Sequence, residues 1–246
     1  MINLEGRIEL FRSLVGSNNY NLNTEESDKD YKLFFLPTFN DLYSNKYFKN
    51  SKIGNKLDVD AHDIRKVEKL WYKVNVNFLE VLFSENIIIN KNLDKKTREL
   101  LFELLNMKND IIKMNLPYLF DACRGMFYNK MHYLEKGTSG TQHLVNKYSY
   151  DTKQALHSWR ILDFLKRFKN TDFNNFKEAI WYKEEEKERL LAIKEGKYSL
   201  KEFKNKVEKK LSSTLYIEKD YKAHKVNKKT YEKLQELIKA IVKHNI

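Results

Sequence analysis

Several groups of residues in this 246-residue chain have the types and spacing that chemistry requires. Gly16-Ser17 ends a run of β-branched and aromatic residues. Glycine removes the Cβ that would hold backbone N–H groups away from a phosphate, and serine adds a hydroxyl. Asp28 and Asp30 stand two apart at the head of a second apolar run and so point to one face. Neighbouring anions repel there unless a divalent cation sits between them. Asp58 and Asp60 alternate with Leu57, Val59 and Ala61 at the strand period, which gives one acidic and one apolar face. Far downstream, Lys153, His157 and Arg160 recur at i, i+4, i+7, a polar helical stripe about 10 Å long.

Taken singly, each group has a plainer reading. A Gly-Ser pair is weak evidence, Asp-x-Asp is more often a solvated turn, and a Lys/His/Arg stripe describes many solvated helix faces. Together they form a catalytic set for two-metal phosphoryl or nucleotidyl transfer. One ion would hold a triphosphate, the other would acidify the attacking hydroxyl, and a third carboxylate would bridge to that nucleophile or deprotonate it. In the stripe, lysine supplies point charge, arginine grips phosphate oxygens in pairs, and His157 contacts substrate or orients its neighbours.

Gly16-Ser17 followed by Ser27-Asp28-Lys29-Asp30 resembles the signature of DNA polymerase β-like nucleotidyltransferases. Tyr150-Asp151-Thr152-Lys153, Ala155, His157 and Arg160-Ile161-Leu162 resemble a helical motif of the predicted nucleotidyltransferases associated with bacterial RNA-repair operons and phages. Asp63-Ile64-Arg65-Lys66, Asn77-Phe78-Leu79-Glu80 and Leu191-Ala192-Ile193-Lys194-Glu195-Gly196 extend the likeness over roughly residues 8–205. The resemblance implies transfer of a nucleoside monophosphate from a nucleoside triphosphate, ATP among them, to a hydroxyl or phosphate, with two Mg2+ ions or Mn2+ in their place. It implies Asp28 and Asp30 as metal ligands and Asp58 as the third acid and ligand, with Asp60 as the close alternative. Gly16, Ser17, Lys153, His157 and Arg160 would bind nucleotide. Asn21 departs from the glycine usual after the tyrosine, although asparagine tolerates left-handed backbone.

The elements that must position these residues follow from the apolar pattern. Strands are expected over residues 7–15, 29–37 and 56–62, then a helix through about residue 73 with Asp63 as its N-cap. Residues 76–83 fit a strand or a short buried helix, with Glu80 either orienting the site or satisfying a buried donor. Beyond residue 92 the spacing is helical: a first segment through Ile112, another over 119–134, a glycine-containing linker at 136–146 and a strong helix over 151–168. A capping box at Ser199 and Glu202 opens the next, and an amphipathic terminal helix covers 231–242. Tyr150 and Asp151 suit the helix start as well as a site. The expected class is α+β: a small mixed-sheet nucleotidyltransferase core at residues 1–92, and a helical region at 93–246 completing the nucleotide cleft. His62, His132, His143, Cys123, Phe34-Phe35, Trp71-Tyr72 and Trp181-Tyr182 read as structural.

Composition sets the outer bounds. With 41% hydrophobic and 13% aromatic residues the chain is not a disordered tail. It has no apolar run of the roughly 20 residues that a membrane helix needs, and a cytoplasmic location without membrane partners is expected. One cysteine excludes an internal disulfide and a thiolate metal cluster. Residues 1–92 balance 13 Lys/Arg against 13 Asp/Glu, so the whole +12 lies beyond them. That favours a polyanionic partner, an RNA acceptor before a protein or small molecule, though a lysine-rich solvated surface gives the same count. The competing classes are a non-catalytic nucleotide- or RNA-binding module and a protein-modifying nucleotidyltransferase that neutralises a toxin.

Overall fold

The computed structural model describes residues 2–54 and 56–246. The sheet strands are β1 (Glu9–Val15), β2 (Lys29–Phe35), β3 (Lys49–Lys52), β4 (Leu57–Asp63) and β5 (Ile87–Ile89), in the spatial order β3-β4-β2-β1-β5. β2 and β4 run parallel and the other neighbours antiparallel, so the sheet is mixed and the class is α+β. Around the sheet the chain forms α1 (Phe39–Tyr43), α2 (Arg65–Tyr72), α3 (Val76–Leu79), α4 (Lys95–Asn106) and α5 (Lys108–Ile111). A second set follows: α6 (Leu116–His132), α7 (Gln142–Tyr148), α8 (Thr152–Asn170), α9 (Phe176–Ile180), α10 (Glu184–Lys194), α11 (Leu200–Leu215) and α12 (Glu218–Lys222). The last helix is α13 (Lys228–His244).

Contacts divide the chain into two compact units, residues 1–115 with 226–246, and residues 116–225. This differs from the division expected at residue 92. The helices α4, α5 and α13 carry the same helical period as those of the second unit, so pattern alone could not separate them. They pack with the sheet unit: Tyr231 and Gln235 of α13 both donate to Glu68 of α2, at 2.8 and 2.7 Å, and the Tyr231 ring lies 4.2 Å from Tyr72.

Pairing explains how the sheet unit is stitched. One face buries Leu33, Phe35, Val59 and Ala61 with Tyr31 and Phe48 against them. The other face grades along the parallel pair, because register places Asp30 beside Asp58, Lys32 beside Asp60 and Phe34 beside His62. Its inner end is aromatic: Phe34 stacks on Phe11 at 4.8 Å, and His62 meets Phe78 edge-on at 4.9 Å. Its outer end is acidic. Residues 76–83 are helical, α3 followed by a 3-10 turn over Glu80–Phe83. Asp63 closes β4 instead of capping formally, yet its carboxylate still accepts from the Arg65 N–H at 2.9 Å.

A buried ion pair fixes the start of α1. Arg7 donates twice to Asp41, at 2.8 and 2.7 Å, while Asp41 accepts from the Thr38 N–H in a capping box. The Arg7 hydrogen bonds, with help from Thr38 and against the opposing effect of burial, hold the Asp41 carboxyl down at about 2. A depressed carboxylate contributes stability above its unfolded value, near 3.8, and loses that contribution as pH falls through about 2. Asp41→Asn is expected to lower unfolding stability at neutral pH by about 2 kcal/mol, the worth of charge-assisted hydrogen bonds. It should also flatten the loss of stability between pH 4 and 2, which denaturant titrations across pH would reveal.

In the second unit, α6 and α8 form the spine, and Phe164, Phe168, Phe173 and Phe176 pack ring to ring. Cys123 is fully buried there, as a small core residue. No helix among the described residues is long and apolar enough to cross a membrane.

Candidate functional site

The acidic end of the sheet is built by three segments of the first unit. The turn after β1 is a 3-10 helix over Gly16–Tyr20, closed by Asn21 at φ 57°, ψ 33°. Asparagine thus supplies the left-handed residue that the turn needs. Gly16 itself has φ +68°, and a Cβ there would collide with the Asp30 carboxylate, reaching its Cγ at 3.2 Å. Both backbone hand and close approach therefore require glycine at this point.

Glu80 organises the turn from beneath. It is 4% exposed, accepts from the Gly16 N–H at 3.2 Å, and receives the Asn19 amide on its carbonyl at 2.9 Å. The Gly16 N–H is therefore committed within the protein, and Ser17 beside it is partly exposed. Asn18 donates to the Asp28 carbonyl at 3.2 Å, which ties the turn to the head of β2.

The four aspartates separate by environment. Asp30 and Asp58 are register partners on adjacent parallel strands, where strands run about 4.8 Å apart, so their side chains share a face. Asp28 is exposed just ahead of β2, and the Gly54 N–H donates to Asp58 at 3.1 Å. Asp60 is occupied otherwise: it accepts from Ser51 at 2.8 Å, lies 2.8 Å from His62 Nε2, and has Lys32 and Lys49 at 3.8 and 3.9 Å. Burial works to raise its pKa, but His62, Ser51 and Lys32 outweigh that and hold Asp60 well below the ordinary carboxylate range. Among the described residues no group of three or more His, Cys, Asp and Glu side chains is gathered to hold a metal ion. Asp30 and Asp58 supply a pair of hard oxygen donors of the kind a divalent cation takes.

The helical stripe lies on α8 of the second unit. Lys153 is exposed, while His157 and Arg160 are partly buried. Burial pushes the His157 imidazole well below its ordinary value, and Arg160, Lys130 and Lys153 push the same way, so the ring is neutral at pH 7. Asp151 caps the helix through the Lys153 and Gln154 N–H groups, both at 3.0 Å, and the buried Tyr150 hydroxyl donates to the Tyr198 carbonyl at 2.8 Å. Both have structural work. Beside the stripe, Asp151 Oδ2, Thr152 Oγ1 and Gln154 Oε1 are buried without a hydrogen-bond partner among the described residues.

No protein-family model matches this chain, and no curated protein matches it either. Among solved structures the chain is similar to a nucleotidyltransferase-like protein from Exiguobacterium sibiricum 255-15, at 12% identity and a TM-score of 0.28, over 96% of this chain and 70% of that one.

Proposed function

We propose that the chain is a nucleotidyltransferase that moves a nucleoside monophosphate from a nucleoside triphosphate to a hydroxyl or phosphate, with an RNA end as the favoured acceptor. The observation that carries this reading is the side-by-side placement of Asp30 and Asp58, with the Asp30 carboxylate set directly over Gly16. Asp28, Asp30 and Asp58 would hold the divalent ions that such transfer uses, which screen the triphosphate and acidify the attacking hydroxyl. Ser17 would donate to a phosphate oxygen, and Glu80 would keep the turn in shape by retaining the Gly16 N–H. On α8 of the second unit, Lys153 and Arg160 are cations of the kind that contacts phosphate, and a neutral His157 can donate or accept a hydrogen bond.

The test is incubation with each labelled nucleoside triphosphate and magnesium, offering total RNA and then total protein. Label is expected on RNA, dependent on the divalent ion. Label on protein alone would move the acceptor to a protein side chain. The absence of a gathered metal cluster among the described residues favours a second reading, a nucleotide-binding module without turnover. Saturable triphosphate binding with no label transferred would select it and overturn the first.

A further inference from the structure

A cavity of about 280 Å³ lies within the second unit, and no residue of the α8 polar stripe lines it. Each of three helices turns one stripe toward it: Trp159 and Asp163 from α8, Glu186, Arg189, Leu190 and Ile193 from α10, and Phe203, Lys206 and Lys210 from α11, with Tyr182 and Tyr198 between them. Its floor is apolar, since Leu190, Ile193, Phe203 and Tyr182 are all at most 4% exposed. Trp159 and Tyr198 are the partly exposed aromatic walls.

The charges around this cavity are not balanced. Asp163 is paired with Lys210, and Glu186 with Arg167 at 2.5 Å, so both acids are neutralised within the protein. Arg189 and Lys206 are exposed, and among the described residues neither has a carboxylate within 4 Å, although Lys206 also acts electrostatically on Glu202. Lys206 rests over the Tyr198 ring at 4.9 Å, a contact that a competing anion can draw away, while Lys210, held by Asp163, lies over Trp159 at 4.5 Å. Residues 116–225 hold 23 Lys/Arg against 15 Asp/Glu, so the unit as a whole is cationic. A ligand that suits apolar floor, aromatic wall and surplus cation is planar, aromatic and anionic. The volume is just below the roughly 300 Å³ at which ligand pockets start, which suits a single small ligand.

We propose that this cavity binds one nucleotide, its base against Trp159 and Tyr198 and its phosphate on Lys206 and Arg189, either as a free mononucleotide or as an unpaired nucleotide of RNA. The site needs no metal and no transfer chemistry, so it stands whether or not the acidic end of the sheet is catalytic.

The test is a titration of tryptophan fluorescence without divalent ions, using uridine and adenosine monophosphates, the matching nucleosides and short oligouridylate and oligoadenylate. Omitting metal and triphosphate separates this site from the one built on Asp30 and Asp58. Saturable quenching is expected with the nucleotides and should vanish in Trp159→Phe. In the double variant Lys206→Ala and Arg189→Ala, with an unchanged melting temperature, binding should be about tenfold weaker, the value of lost charge-assisted phosphate contacts. Tighter binding of the oligomers identifies RNA as the source, and equal binding identifies the mononucleotide. Quenching that survives Trp159→Phe, or affinity indifferent to the phosphate and to both cations, would overturn the proposal.

Discussion

The double variant Asp28→Asn and Asp30→Asn is expected to lose nucleotidyl transfer by on the order of a thousandfold while melting at the temperature of the parent chain. Asp28 is exposed and Asp30 is only partly buried, so neither change opens a cavity. The amide keeps the size of each side chain and removes the charge that a divalent ion requires. Asp58→Asn should behave alike, because its carboxylate stands beside that of Asp30. Asp60→Asn should do the reverse, keeping turnover and losing stability. Its carboxylate is engaged by His62, Ser51, Lys32 and Lys49, and removing the charge leaves two lysines without their anion. Measuring labelled triphosphate turnover beside thermal melting for all four substitutions separates the roles. Full turnover in the double variant would exclude the acidic end of the sheet as the site.

That contrast between Asp58 and Asp60 also marks how far the sequence could be read. Alternation along residues 57–62 puts both aspartates on one face and says nothing more. Which of them meets Asp30 depends on the register of β4 against β2, a pairing between segments almost 30 residues apart that no local pattern encodes. The hydrophobic strands were legible because their apolar residues follow the strand period: β1 and β2 fall inside the expected ranges, and β4 overruns its own by one residue, Asp63. The edge strands were not. β3 reads Lys-Asn-Ser-Lys, a polar composition that discourages edge-to-edge pairing and carries no apolar signal, and β5 is only three isoleucines long. The cavity of the second unit was hidden differently. Its lining is spread from Trp159 to Lys210, and each aromatic residue alone is indistinguishable from ordinary helix packing.

The largest effect on stability is expected at Gly196, where α10 must stop. The Lys197 N–H donates to the Ala192 carbonyl at 3.0 Å and the Gly196 N–H to the Ile193 carbonyl at 3.1 Å. These are the paired bonds of a helix ending through a left-handed residue, and Gly196 sits at φ +70°. A side chain there is costly by about 1–2 kcal/mol from backbone hand alone. It would also come within 2.6 Å of the Tyr148 Cε1 and 2.8 Å of its Cγ, so the ring base near the backbone would have to move as well as the ring edge. Overpacking of that kind adds about 1–3 kcal/mol, which puts Gly196→Ala near 3 kcal/mol in total. The turn lies between Ile193 and Tyr198, both of which line the cavity. The variant should therefore lose nucleotide-dependent tryptophan quenching along with stability, while Gly125→Ala, where a Cβ meets nothing within 4 Å on the helix α6, should leave quenching unchanged and raise stability by about 1 kcal/mol. Chemical denaturation and fluorescence titration of the two variants side by side test this, and a Gly196→Ala chain as stable as its parent would show that the left-handed turn is not what ends α10.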